Sequence, residues 1–265
     1  MTRAHRPDLR ATRLRLRWEI LIVLGLSLLP SGLSAIVTLA ELAAAPTPIG
    51  ETSASINPAA SEFPLFDVLH RLVSVAAALV PVALVVWLLW SRAESGFARI
   101  GLDARRPARD LGLGALLALA IGLPGLALYA VSRAFGLTVQ VVAGDAQLAW
   151  WTAVLLVLSA LRAALIEEVV AVAYLATRLR TLGWSRWGVI LASALLRGSY
   201  HLYQGVPMAL GNVVMGIVFA WWFTRRTGRI GDRPRVLPLV LAHLLLDLVS
   251  FLGYPLAAAL WPGLF

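Results

Sequence analysis

The chain has 265 residues, 60% of them apolar and only 14% charged, where soluble proteins carry about 25%. A water-soluble fold cannot hide that much apolar surface, a disordered chain would be polar, and the absence of cysteine excludes a disulfide scaffold. The net charge of +9 rests on 23 basic residues, all arginine; in a soluble chain it would point to nucleic acid, but here their positions matter more than their sum. The remaining class is an integral membrane protein, an all-α polytopic bundle with the lipid bilayer as its main partner and no nucleic acid.

A basic tail, residues 1–17, comes first. Apolar runs then follow at Trp18–Ala45, Val68–Trp90, Leu111–Val131, Leu148–Leu175, Trp187–Leu202, Val206–Phe223 and Val236–Leu252. A bilayer crossing needs about 20 residues, so each is read as a span, the short fifth and seventh as helices packed inside protein. A last piece, Pro255–Phe265, is read as a half-helix or interfacial segment, which gives about seven or eight spans. The first run, with its basic head and Ala43-Ala44-Ala45, also resembles a secretory signal. Its apolar core from Ile20 to Leu39 exceeds the usual 7–15 residues, so it is read as a retained anchor.

The connections alternate in charge. The tail, the second, the fourth and the sixth connections hold nineteen arginines, whereas Pro46–Asp67, Ser132–Gln147 and Tyr203–Gly205 hold only Arg133. By the positive-inside rule the N-terminus is cytoplasmic, in a multi-pass protein of the bacterial plasma membrane. The outer connection Pro46–Pro64, rich in Pro, Ser and Thr, is read as a surface loop. Gly114, Ala118 and Gly122 give the third span a small-residue face for close helix packing. The chain divides into the tail (1–17), N-terminal transmembrane helices and loops (18–147), a core (148–254) and the C-terminal segment (255–265).

Charge inside a membrane costs several kcal/mol and marks function by default. The fourth run carries Glu167 and Glu168, the fifth Arg197 and His201, the seventh His243 and Asp247. Counted from the nearest cytoplasmic arginine at about 1.5 Å per residue, Glu168 lies about 15 Å deep and His201 about 22 Å. His243 and Asp247 lie about 12 and 18 Å deep on the same scale. Three helices therefore bring these groups to one layer. Ser193, Arg197, His201 and Gln204 form one polar stripe, and His243, Asp247, Ser250 and Tyr254 another. Glu167 and Glu168, about 100° apart on a helix, face different ways: one toward a cavity, the other toward a partner. A Glu–Arg pair alone could simply fix helix register. Six polar groups at one depth argue for more.

At these residues the sequence resembles the CAAX protease and bacteriocin-processing (CPBP, or Abi) family of intramembrane proteases, related to the Ras-converting prenyl-protein endopeptidase. The family pattern is Glu-Glu-x-x-x-Arg, then Phe-x-x-x-His, then His-x-x-x-Asn/Asp. Here it reads Glu167-Glu168-Val169-Val170-Ala171-Val172, Arg197-Gly198-Ser199-Tyr200-His201 and His243-Leu244-Leu245-Leu246-Asp247, within Leu148–Tyr254. The resemblance implies a helical bundle with a CPBP-like catalytic core at 148–254 that hydrolyses a membrane-associated peptide or protein. It implies Glu167 as general base, His201 as a holder of the water, His243 and Asp247 as oxyanion stabilisers, and Glu168 as partner of the motif's arginine.

Two departures stand out. The motif's arginine is Val172 here, and its aromatic is Arg197, so the guanidinium is expected to have moved to the neighbouring helix as a supporting partner of Glu168. Arg162 is the poorer candidate, being off the faces of both glutamates. Asp247, if ionised, cannot donate to an oxyanion and must be protonated or orient His243. No cofactor is favoured. Zinc is the open alternative, with His201, His243 and Glu167 as its ligands. Two other functions stay open: a non-catalytic family member that binds a membrane peptide, and an ion-coupled transporter. The latter lacks any visible inverted repeat.

Overall fold

The computed structural model describes residues 9–143, 150–225 and 233–260. Arg3, Arg6, Arg226, Arg229, Leu148 and residues 261–265 lie outside the described residues, as does the side chain of Tyr254. The chain is mostly helical: α1 (Leu9–Gly25), α2 (Leu29–Ala44), α3 (Pro64–Leu89), α4 (Gly96–Ile100), α5 (Pro107–Ala134), α6 (Trp150–Leu165), α7 (Leu175–Thr181), α8 (Arg186–Ser199), α9 (Val206–Thr224) and α10 (Leu237–Leu260). Two short strands, β1 (Ser53–Ile56) and β2 (Gln140–Ala143), pair in parallel with Ser53 opposite Gln140. The reading of Pro46–Pro64 as a plain surface loop is corrected by β1, and the all-α expectation by the pair.

Among the described residues α3, α5 and α9 are long and apolar enough to cross a membrane, and the bent α1–α2 pair brings the candidates to four. These are the helices of a multi-pass membrane protein. The seven or eight spans expected from the apolar runs exceed these four candidates, and several of the runs fold in pieces. The first run bends by 57° between α1 and α2. Pro30, in the first turn of α2, has no N–H to carry the hydrogen-bond ladder back into α1, and Ser27 Oγ instead bonds the Val23 carbonyl at 2.7 Å. The fourth run is divided into α6, a π-helical stretch Ile166–Tyr174 and α7. The fifth is the 14-residue α8, about 21 Å long. Residues 255–260, expected as a separate piece, continue α10.

The connections gather in two groups at alternate helix ends. In one, Arg178 Nε donates to Glu19 at 2.6 Å and Arg178 Nη2 to the Leu88 carbonyl at 2.8 Å. There too Arg235 bonds Asp103 at 2.9 Å and grips Asp110, and Val236 N–H donates to Ile100 at 2.9 Å. Burial raises Asp103, but the hydrogen bonds from Arg235 and the Arg105 N–H, with the charges of both arginines, together outweigh it and hold this carboxyl below its ordinary value. In the other group Arg133 donates to the carbonyls of Gly50 and Thr138 at 2.8 and 2.9 Å, and the Gln204 carbonyl accepts from Val139 N–H and the Thr138 hydroxyl. The arginine-rich connections therefore meet one another, and so do the arginine-poor ones.

Two close helix contacts position the centre. Gly114 and Gly122 face α10, where a Cβ would come within 2.8 Å of Leu241 and 2.9 Å of Leu246, as the small-residue face predicts. Gly198 and Gly216 bring α8 against α9, with ideal Cβ positions 2.4 Å from Val213 and 2.7 Å from Ala194. The π stretch runs through the middle of the core, with Val169 to Tyr174 fully buried.

Candidate active site

A π-helix closes each turn over one more residue than an α-helix, so neighbours diverge by less than 100°. Glu167 and Glu168 stand at the start of that stretch. Their splay is accordingly smaller than an α-helix implies: one ligand atom each from Glu167, Glu168 and His243 lies within 4.8 Å of the others. The wider winding is anchored from α8, where buried Ser193 donates its hydroxyl to the Ala171 carbonyl at 2.7 Å. The small Ala164 and Ala171 flanking Glu168 are both buried.

The two carboxylates live in different surroundings. Glu168 is fully covered, and its Oε1 takes both the Arg197 Nη2 hydrogen bond and a 2.7 Å contact from His243 Nδ1. Glu167 keeps 13% of its side chain accessible; its Oε2 accepts the Tyr200 hydroxyl at 2.8 Å and lies 3.6 Å from Arg197 Nη1. His201 Nε2 is 4.0 Å from the same oxygen. His243 Nε2 turns toward Asp247, 3.6 Å away. Glu167, His201 and Asp247 are thus partly accessible, with both His201 ring nitrogens themselves buried and without a hydrogen bond, over a covered base of Glu168, Arg197 and His243.

Arg197 reaches from α8 to Glu168, the contact expected of a relocated guanidinium, while Val172 is buried among apolar neighbours. Its guanidinium lies 5.3 Å from the Phe219 ring centroid, a cation–π contact. Its aliphatic stem crosses Gly216, where an added Cβ would be 3.4 Å from Arg197 Cδ. Arg162 forms no ion pair with either glutamate among the described residues, and its Nε is buried without a hydrogen bond. Gly216→Val should therefore cost about 1–3 kcal/mol through overpacking and displace Arg197. Thermal unfolding of the purified variant checks this, and an unchanged midpoint would contradict the close approach.

The stripe on the fifth run is broken in one respect. The helix α8 ends at Ser199, so His201 sits on the turn behind it and Gln204 on the following 3-10 turn. Gln204 holds that turn to Thr138 rather than joining the cluster. Ser250 is exposed and bonds the Leu246 carbonyl, also outside it. Tyr200 and Phe219 were not singled out from sequence. Tyr200 had a signal, an aromatic hydroxyl beside His201; Phe219 had none, lying in a uniformly apolar helix.

Residues 149–249 match the family described as type II CAAX prenyl endopeptidase, Rce1-like. The chain carries an Rce1-like domain. No curated protein and no solved structure gives a significant match. The Rce1-like domain holds every member of the cluster and implies a protease with a protein substrate. The contacts from Glu19 to Tyr174 and Arg178, and from Thr138 to Gln204, come from residues outside it.

The donor set of the site bears on whether it holds a metal. Zinc wants three or four deprotonated donors with free lone pairs. Glu168 Oε1 is already taken by Arg197 and His243, and the guanidinium, 3.6 Å from Glu167, would lie against any cation the carboxylates held. The third member gathered with Glu167 and His243 is Glu168, not the His201 expected as a ligand. Glu168 Oε2 and both His201 ring nitrogens are buried without a hydrogen bond, so what opposes a divalent cation is the neighbouring guanidinium. Cleavage should accordingly survive dialysis against a strong zinc chelator within about twofold. Loss that added zinc restores would overturn this reading.

Proposed function

We propose that the chain is an intramembrane endopeptidase in which Glu167 activates water to cleave a membrane-associated peptide or protein. The observation that carries the reading is the division between two adjacent carboxylates, Glu168 sealed under Arg197 and His243 while Glu167 stays accessible beside His201. The sealed pair fixes geometry, and the open carboxylate is left to take a proton.

Water held between Glu167 and His201 attacks the scissile carbonyl carbon. Glu167 takes the proton, and the carbonyl oxygen becomes the anion of a tetrahedral intermediate. That anion accepts from His243 Nε2–H and from Asp247 in its protonated form, His243 being held through Nδ1 by Glu168. Collapse of the intermediate breaks the C–N bond, and the proton on Glu167 passes to the leaving amine, giving a new carboxyl and a new amine. Tyr200 donates to Glu167 Oε2 and so turns the other oxygen toward the water. General-base action of this kind contributes about 10²–10⁴-fold, and oriented donors at the oxyanion add to it.

The arginine-rich ends are read as cytoplasmic and the membrane as a bacterial plasma membrane, with the catalytic core at 148–254. Purified protein incubated with membrane-spanning peptides, and the products read by mass spectrometry, tests the activity. Discrete cleavage within a peptide supports it, and none across a broad set opposes it. A non-catalytic, peptide-binding role is favoured by one feature, Val172 in place of the motif's arginine. Peptide binding without cleavage is its signature, and proton- or cation-driven uptake in proteoliposomes would be that of a transporter.

A further inference from the structure

A second polar feature lies away from the cluster. At the arginine-rich ends a shallow, open cleft lies where the start of α5, the end of α9 and the start of α10 meet. Arg106, Arg109, Arg225 and Arg235 line it, with Asp110 and Trp222. Asp110 is buried and gripped by Arg235, which also holds Asp103, and Arg105 lies 3.6 Å from Asp103, so two guanidinium groups balance the two acids. Arg106 and Arg109 are exposed and pair with no carboxylate among the described residues. The Arg225 guanidinium is stacked 3.4 Å from the Trp222 ring centroid at the rim. Arg106 and Arg109 therefore leave surplus positive charge at the cleft, presented by guanidinium forks, the geometry that suits a phosphate group.

Its surroundings are those of a lipid rather than a soluble anion. Both α5 and α9 are candidate spans, and the cleft lies where they pass into the charged connections. Trp222 supplies an amphipathic ring at that level. Along α5, Arg109 is followed at spacings of three or four by Leu113, Leu116, Leu119 and Leu123, and the last three are 60–65% exposed. One helix face thus runs from the charged cleft onto an uncovered apolar wall. We propose that this cleft binds the phosphate headgroup of an anionic phospholipid whose acyl chains lie along α5. The proposal rests on membrane placement and not on the peptidase reading.

The test uses the full chain purified in detergent, mixed with phosphatidylglycerol and phosphatidylcholine, and retained lipids counted by native mass spectrometry. Phosphatidylglycerol should be retained in preference. Each juxtamembrane arginine strengthens anionic-lipid binding about fivefold, so Arg106→Gln with Arg109→Gln should weaken it roughly thirtyfold. Arg13→Gln with Arg15→Gln removes the same charge from exposed positions on α1 and should change it less than twofold. Equal losses in both double variants, or equal retention of the two lipids by the wild type, would overturn the proposal. So would displacement of the bound lipid by dilute glycerol phosphate, which would make the cleft a site for free anions. Thermal stabilisation of the wild type by phosphatidylglycerol, absent in Arg106→Gln/Arg109→Gln, gives the second readout.

Discussion

Glu167→Gln should lower the rate of peptide cleavage by about 10²–10⁴-fold while leaving peptide binding and the melting temperature close to those of the wild type. The amide keeps the size of the side chain and can still accept from the Tyr200 hydroxyl, but it cannot take a proton from water. Glu167 keeps part of its side chain accessible, and when it is neutralised the covered Arg197 retains Glu168 as its counter-charge. Glu168→Gln provides the contrast. There the change removes the counter-charge of a buried guanidinium, and stability should fall together with activity. The assays are initial rates on a cleaved peptide and thermal unfolding of the same preparations. Equal loss of stability in both variants would mean that Glu167 is as structural as Glu168.

Arg197→Leu should destabilise the fold by about 3–5 kcal/mol, because it leaves the Glu168 carboxylate buried with only His243 beside it. A chain of this length shifts by roughly 2–4 °C per kcal/mol, so the melting temperature should drop by about 6–20 °C. The double variant Arg197→Leu/Glu168→Leu should recover most of that stability, since an apolar pair replaces an ion pair in the core. Activity should not return with it. Glu167 would have lost the guanidinium 3.6 Å from its carboxylate, and His243 the carboxylate that orients its ring. A single variant that melts within about 2 °C of the wild type would show that Arg197 is not the counter-charge of Glu168.

The cluster was legible because its members are wrong for their surroundings. Glu168, Arg197 and His243 are polar residues inside apolar runs, and chain distances from the flanking arginines already put them at one depth. The exchange of Val172 and Arg197 was readable only against the family pattern, in which the resemblance makes an arginine the partner of Glu168. The π-helical stretch was not readable. Residues 169–173 are uniformly small and apolar, so their pattern is the same at 3.6 residues per turn or at a wider winding, and what fastens the stretch is a hydroxyl on another helix, Ser193. The β1–β2 pair escaped for a different reason, being four residues on each side with its partner 87 positions away. The bend before α2 was marked only by Pro30, inside a run apolar enough to pass for one straight helix. Tyr200 took its role from the end of α8, since the turn after Ser199 swings its hydroxyl onto Glu167.

The central claim is that water activated at Glu167 ends up in a peptide product. Cleavage carried out in water enriched in oxygen-18, with the products weighed, tests it most directly. One labelled oxygen is predicted in each newly formed carboxyl terminus, and none in the Glu167→Gln reaction beyond its residual rate. Peptide that stays uncleaved with wild-type protein, or labelled product formed equally fast by Glu167→Gln, would contradict the account.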